Sequence, residues 1–451
     1  MEKRETWGSK IGFMLAVAGS AVGLANIWRF PYIVGENGGA AFILIYLFFL
    51  FVIGFPVFLS EMLIGRAAEA SPGLAYAKLS ERPAWGWAGR LTVLTGFIVS
   101  AFYSAIAGWV FGYFVEALLD KITAFQTTGQ SRQYFHNLLQ TPAWCAAFHF
   151  LFIAVCSFIL YFGVRRGIER ATKVMMPALF FMLAILVAKG VSMPHAEKAL
   201  AFLFAPDWSA LSPNALITAL GQAFFTLSLG QGTMVTYGSY LSKKENLFTT
   251  SIPIVLIDLL VSLLSAIAVF TIVFSVGMEP NEGPGLLFQT LPWVFSQLQG
   301  GYLMAIAFFF LVLLAAITSQ VSAMEPAIAY LRDERGLKRH SAVFTVALSA
   351  FSLGLPCALS FSTFSQFDLF GLNPLGFLDA LCSKILIPTG ALLATIFVGW
   401  VWKFPHAFKE LQTGDNGLFN RYPSLKGYLV LCIRYVSPIL ILIVFYHTLS
   451  Q

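Results

Sequence analysis

The chain has 451 residues, of which 58% are apolar and only 11% are Asp, Glu, Lys or Arg. A soluble domain carries about 25% charged residues, so a water-soluble fold of ordinary size cannot hide this much apolar surface. Lipid has to cover it, and the net charge of +6 then points to basic loops on one side of a bilayer and away from nucleic acid.

Hydropathy predicts eleven membrane-spanning helices, at 10–35, 39–66, 88–120, 144–163, 170–190, 212–241, 250–276, 301–332, 341–355, 377–402 and 427–449. Ten of them have the ~20 residues that a hydrocarbon core needs, and the ninth has 15. The first begins like a cleaved signal sequence, with a basic start, an apolar stretch and small residues. Its apolar run continues through Val22–Trp28 and many spans follow, so it is read as a retained span. The insert at 121–143 is the longest polar segment and is too short for a soluble domain. Segments 195–209 and 286–298 read as short external helices or loops. The ninth span is the shortest, and Pro356 sets its expected end at Leu355. The fold class is therefore all-α, a polytopic membrane protein forming one transmembrane domain over 1–451.

Basic residues set the orientation. With the N-terminus in the cytoplasm, the inner segments hold twenty, from Lys3 and Arg4 through Arg66, Arg82, Arg165, Lys243, Arg332 and Lys403 to Lys426. The outer segments hold four: Lys121, Arg132, Lys189 and Lys198. The five cysteines form no CxxC pair and fall in or beside apolar runs, which reads as core packing. The six histidines show no zinc spacing, and no Asn-x-Ser/Thr sequon occurs.

Two spans carry Gly and polar residues at mid-depth. Span 1 has Gly19-Ser20-Ala21-Val22-Gly23-Leu24-Ala25-Asn26, and span 6 has Thr226-Leu227-Ser228-Leu229-Gly230-Gln231-Gly232. Close packing of helices through small residues accounts for either one alone. Their spacing of five spans adds a second reading. An odd separation makes the two halves enter the membrane from opposite sides. Paired interruptions in corresponding spans are the sequence mark of a transporter site. Spans 1–5 (10–190) and 6–10 (212–402) would then be inverted repeats, with 427–449 appended. An unwound segment offers free carbonyls to a cation and half-helix N-termini to a carboxylate.

At these residues the chain resembles a known family. WGSKIGFMLAVAGSAVGLANIWRFPYIVGENGGAAFILIY resembles the first span of the neurotransmitter:sodium symporters, which have the LeuT fold. GQAFFTLSLGQGTMVTYGSY resembles their sixth span and AAITSQVSAMEPAIAYLRDE their eighth. Eleven spans without a glycosylated outer loop look like a bacterial member, a multi-pass protein of the inner membrane. The resemblance implies sodium-coupled symport of an amino acid by alternating access. An ion channel and a non-transporting amino-acid sensor are the other readings. No catalytic motif accompanies the resemblance, so no enzyme is expected, and the sequence carries no signal for an oligomeric state.

The resemblance also implies sites. A first sodium site would use Ala21, Asn26, Thr226 and Asp258 with the substrate carboxylate. A second would use Gly19, Val22, Ala315, Thr318 and Ser319, although Thr318 and Ser319 also suit back-bonding to their own helix. Many relatives have Asn where this chain has Asp258. The neighbourhood aligned with their chloride site is Tyr46, Gln222, Thr226, Asp258 and Ser262. A carboxylate there would stand in for chloride, so no chloride is expected; a protonated Asp258 with chloride retained is the alternative.

The substrate pocket would be lined by Ser20, Ala21, Leu24, Ala25, Val99, Tyr103, Phe225, Thr226, Ser228, Gln231, Ser319 and Ala323. Tyr103 and free main-chain N–H groups would hold the carboxylate, though Tyr103 also suits simple interhelical packing. Gln231 stands where relatives often carry Phe or Met, and Ala323 where a branched residue is common, giving a roomier pocket for a neutral, largely hydrophobic amino acid. Arg29 and Asp379 match an external gate with Phe225 as lid. Arg4 and Asp333 match an internal latch beside Trp7 and Tyr240, and positive-inside topology alone also accounts for Arg4. Gly167 and Pro177 fit the G-x9-P pattern of span 5. Lys384 and Glu325 find no role in the resemblance.

Overall fold

The computed structural model describes residues 4–212, 214–277, 283–414 and 417–450; Lys3, counted above among the inner basic residues, lies outside them. Among the described residues nine helices are long and apolar enough to cross a membrane, ten when the bent pair Lys10–Ala21 and Ala25–Glu36 counts as one span. The expected sixth span is in two pieces, Ala215–Thr226 and Thr233–Gly238, of 12 and 6 residues. At 1.5 Å per residue neither piece covers a core of about 30 Å alone. The other spans are Ala40–Ala68, Pro83–Leu118, Pro142–Tyr161, Val164–Val191, Leu247–Ser275, Gly301–Arg335, Arg339–Ala358, Pro374–Val401 and Pro423–Thr448.

Packing sorts these helices into inner and outer ones. Spans 3 and 8 have 72% of their most apolar window buried inside the protein, whereas spans 4 and 5 have 33% and 28% and present the remainder to lipid. The first half of span 1 packs on spans 5, 7 and 8, and both pieces of span 6 pack on span 2. The two broken helices thus lie at the centre of the bundle, where irregular backbone at membrane depth is tolerated.

Among the described residues six π-helical turns interrupt the spans, at Ala25–Arg29, Leu50–Gly54, Val164–Glu169, Leu381–Leu386, Phe397–Val401 and Cys432–Val436. Such turns often mark functional positions in long helices.

One expectation needs correction. Span 9 does not stop at Leu355 but runs through Pro356 to Ala358. The bias against helix before proline is a preference, and burial of Cys357 and Ala358 overrides it. The insert at 121–143 contains a helix, Thr128–Leu139, whose N-cap Thr127 accepts from the Gln130 N–H. It is too polar to register in hydropathy. Short helices also form at Ala196–Phe204 and Thr290–Gln297, within the two segments read as external. All five cysteines are buried and free.

Candidate functional site

Span 1 leaves the helical path after Ala21. Val22 takes an extended conformation, and the two halves meet at 53°. The Asn26 side chain turns back over the gap and accepts from the Gly23 N–H at 2.9 Å. In span 6 the break runs from Leu227 to Gly232, with positive φ at Ser228 (53°), Gly230 (73°) and Gly232 (76°). A side chain at Gly230 would start 2.1 Å from the Ile387 carbonyl oxygen, so span 10 closes on the break too tightly for anything but glycine. The two breaks face each other: Ser228 Oγ donates to the Ser20 carbonyl at 2.9 Å.

Beside this contact lies a buried polar knot. Asn26 Nδ2 donates to Asp258 Oδ1 at 2.7 Å, to Ser262 Oγ at 2.8 Å and to Thr226 Oγ1 at 3.1 Å. Thr226 Oγ1 donates to Asp258 Oδ2 at 2.9 Å. All four side chains are sealed from solvent, together with Tyr46 and Gln222. Both amide atoms of Gln222 are without a hydrogen-bond partner among the described residues. Asp258, Thr226 and Ser262 bring hard oxygens together, the chemistry an alkali cation takes, while Asn26 turns its amide N–H2 to them and its Oδ1 to the Gly23 N–H. Of the residues implied for a first sodium site, Asn26, Thr226 and Asp258 are hydrogen-bonded together, and Ala21 ends the helix above them.

The residues implied for a second sodium site meet where span 8 crosses the same break. Ser319 Oγ donates to the Val22 carbonyl at 3.2 Å and the Ser20 carbonyl at 3.3 Å. Thr318 back-bonds to the Ala315 carbonyl at 3.0 Å. A Cβ on Gly19 would stand 3.3 Å from Thr318 Cβ. The Ser319 hydroxyl thus joins the span 1 carbonyls of Ser20 and Val22, while the Thr318 hydroxyl stays with its own helix.

Between the breaks is a small cavity of about 50 Å³. Eleven of the twelve expected residues line it: Ser20, Ala21, Leu24, Ala25, Val99, Tyr103, Phe225, Ser228, Gln231, Ser319 and Ala323. Thr226 does not; its hydroxyl points to Asp258 and leaves the wall to its neighbours. Gly23, Phe224, Leu229 and Ile387 complete the lining and were not expected. Tyr103 Oη accepts from the Leu24 N–H at 3.4 Å, so the tyrosine reaches the free end of the broken helix. Two buried polar atoms at the cavity have no partner among the described residues, Ser20 Oγ and Gln231 Oε1.

On one side of the cavity the chain is locked. Arg4 Nη1 meets Asp333 Oδ2 at 2.5 Å, and Arg4 Nη2 donates to Ser239 Oγ at 2.6 Å. Arg4 also lies over the Tyr240 ring, and Trp7 Nε1 donates to the Tyr237 carbonyl. Glu325 now has a place: sealed in span 8, it takes a bidentate pair from Arg339 at 2.8 and 3.0 Å and the Tyr240 hydroxyl at 2.9 Å. Glu5 joins Arg332 and Arg339 and accepts from the Val164 N–H. The resemblance did not point to Glu5, Ser239 or Arg339.

On the other side the expected pair is apart. No ion pair joins Arg29 to Asp379; the Arg29 guanidinium instead stands 4.5 Å from the centre of the Phe225 ring. A cation over an aromatic face is stabilised without a carboxylate, so the lid residue holds the arginine while Asp379 is left aside. Lys384 is exposed in the π turn of span 10. Glu61 is sealed in span 2 and accepts from the Gly230 N–H at 2.7 Å, tying span 2 to the break.

Helices interrupted at membrane depth, with oxygens of both converging on a small enclosed cavity, define a secondary transporter of the broken-helix class. The model of the sodium:neurotransmitter symporter family matches residues 4–139 and 144–451. The sodium-dependent transporter YhdH of Bacillus subtilis strain 168 is 38% identical over 449 residues, covering 100% of this chain and 98% of YhdH. The sodium-dependent transporter MJ1319 of Methanocaldococcus jannaschii is 33% identical, over 89% of this chain and 82% of its own length. The crystal structure of MhsT in complex with L-phenylalanine superposes with a TM-score of 0.89 at 38% identity, covering 99% of this chain and 100% of MhsT. The chain belongs to the sodium:neurotransmitter symporter family. It is a sodium-dependent symporter with the LeuT fold, a multi-pass membrane transporter and not an enzyme.

Proposed function

We propose that the protein carries a neutral, largely hydrophobic L-amino acid into the cell together with two sodium ions, without chloride. Residues 10–190 and 212–402 are the inverted repeats in this reading. The N-terminus and the Arg4–Asp333 latch face the cytoplasm of a bacterial inner membrane. The observation that most supports it is the convergence of Ser20, Ser228 and Ser319 between the breaks, with the Asn26–Thr226–Asp258 knot at its edge. A zwitterion seated there has N–H groups of the span 1 break and the Tyr103 hydroxyl for its carboxylate. Carbonyls of the span 6 break suit its ammonium. The carboxylate then completes the shell of the first sodium ion. Direct contact between cation and substrate makes each raise the affinity for the other by the same factor.

Val99, Phe225, Ala323 and Ile387 give the cavity an apolar wall, and MhsT was solved with L-phenylalanine. Gln231 places one amide in that wall. Replacing it with leucine is expected to change the rank order of competing amino acids by roughly 3–10-fold, the range of one net hydrogen bond. An unchanged competition profile removes Gln231 from substrate contact.

The deciding experiment is uptake of each of the twenty amino acids into proteoliposomes, in sodium against potassium buffer. Saturable, sodium-dependent uptake with a fixed ion-to-substrate ratio is expected, with counterflow in the same vesicles. Uptake indifferent to sodium ends the coupling scheme, and sodium-dependent binding without counterflow makes the protein a sensor.

A further inference from the structure

The transport scheme makes no use of a cavity of about 810 Å³ on the face that carries Arg4 and Arg66. One wall is Leu79–Arg82, just before span 3; the other is Trp400–Lys403, at the end of span 10, with the short helix Phe404–Leu411 that follows. Arg82, Lys403 and Lys409 line it, all exposed. None of the three takes part in an ion pair among the described residues. Two acids also line the cavity. Glu410 is committed to Arg66, whose Nε lies 2.8 Å from its Oε1, which leaves Glu81 alone against three cations. Lys403 holds a φ of +69°, a conformation that disfavours any side chain, at the point where the chain turns from the span into the short helix.

The position of this charge matters as much as its sign. Trp400 and Trp402 stand at the end of a 28-residue apolar span, the level at which tryptophan marks the boundary between hydrocarbon and headgroups. Trp400 is 49% exposed on the flank, with Arg434 over its ring and its Nε1 bonded to the Arg434 carbonyl. The Trp400 wall of the cavity therefore lies at headgroup depth. Basic pockets between helices at that depth attract anionic headgroups.

We propose that this cavity seats the phosphate of an anionic phospholipid, with Arg82, Lys403 and Lys409 as its cationic partners and Trp400 against the glycerol and upper acyl region. A free phosphate ester shares the headgroup chemistry but lacks the part that Trp400 faces. A zwitterionic lipid brings its own cation to a site that already has an excess.

The test is native mass spectrometry and thermal melting of the purified full-length protein in neutral detergent. It is titrated with phosphatidylglycerol, phosphatidylcholine or soluble glycerol phosphate. Phosphatidylglycerol should bind about tenfold or more tightly than phosphatidylcholine, and glycerol phosphate should not compete at the same concentration. The variant R82Q/K403Q/K409Q should lose that preference by about 10–100-fold, whereas R166Q/R170Q/K243Q, on exposed basic residues outside the cavity, should keep it within about twofold. If the triple variant is not monodisperse and helical, the single change Lys409→Gln should still weaken phosphatidylglycerol several-fold. Equal binding of the two lipids, full retention by the cavity variants or equal loss in the control set overturns the site. Competition by glycerol phosphate as strong as by the lipid reassigns it to a soluble anion and overturns the lipid.

Discussion

In the proposed scheme Asp258 concentrates the ion chemistry of this protein in one carboxyl group. It lies sealed in span 7 and accepts from Asn26 and Thr226. An ionised carboxylate at the middle of a span costs at least ~2.5–3.5 kcal/mol unless a charge compensates it. In the proposed scheme a sodium ion beside Asn26 and Thr226 is that charge, and the carboxylate takes the place of an external anion. Asp258→Asn removes the anion and keeps the shape, but turns one of its two acceptor oxygens into a donor. Sodium activation of uptake should then need about tenfold more sodium or more, the penalty for one lost charge partner at an ion site. Chloride should begin to stimulate the variant, with Gln222, one helical turn before Thr226, supplying a buried amide to receive it. Wild-type uptake should be the same in chloride and in gluconate. Collapse of wild-type uptake in gluconate would instead leave Asp258 protonated and chloride in place.

At the level of the element, the span 6 break is held open from three sides. Ser228 bonds across to span 1, Glu61 receives the Gly230 N–H from span 2, and span 10 fills the space over Gly230. Gly230→Ala sets a methyl group 2.1 Å from the Ile387 carbonyl oxygen at a φ of +73°. Left-handed backbone alone costs a residue with a side chain about 1–2 kcal/mol, and span 10 must also retreat. Sodium-dependent uptake should fall below a tenth of wild type, with a lowered melting temperature. Gly221→Ala, one helix earlier, meets nothing within 4 Å and should transport normally. Equal activity of the two variants would mean that the break is not held by span 10.

The same comparison shows what a sequence can and cannot reveal here. Both breaks are legible because Gly and polar residues interrupt apolar runs at mid-depth, a signal carried by composition. The locations of Ser20, Ser228 and Gln231 follow from motifs that sit on the breaks themselves, and that of Ser319 from the span 8 motif that the resemblance supplies. Ile387 is not legible in this way. It comes from span 10, where a π turn at Leu381–Leu386 inserts a residue and rotates everything after it by about 100°. Thr226 shows the opposite case: its motif is plain, yet which way its hydroxyl turns depends on Asp258 in another span. Glu5 and Arg339 are ordinary loop charges by sequence; only the fold places them around Glu325.

For the whole molecule, the two gates are in opposite conditions. The Arg4–Asp333 latch is made, whereas Arg29 rests on Phe225 and is not paired with Asp379. In the proposed cycle this is the arrangement with the cytoplasmic path shut and the outer path the next to change. A latch biases a two-state equilibrium only by what it contributes in one state and not in the other. A charge-assisted hydrogen bond contributes about 1.5–3 kcal/mol, a factor of roughly ten to a hundred in the population of the closed form. The two partners are not equivalent: Asp333 also accepts from the Ser71 N–H at 2.7 Å and so pins the connection between spans 2 and 3, whereas the further contacts of Arg4, to Ser239 and the Tyr240 ring, stay at the end of span 6. Asp333→Ala should therefore open the inner side further than Arg4→Ala. A cysteine introduced at Ser322, a sealed span 8 residue three positions before Glu325, should be alkylated from the cytoplasmic side of the membrane. Its rate should rise about tenfold in Arg4→Ala and more in Asp333→Ala, while apparent affinity for substrate added outside falls in the same order. The exchanged pair R4D/D333R should recover part of the closure, since the ion pair can reform although the Ser71 contact is lost. Equal labelling of both single variants would mean that Asp333 acts through Arg4 alone, and unchanged labelling in both would remove the latch from the cycle.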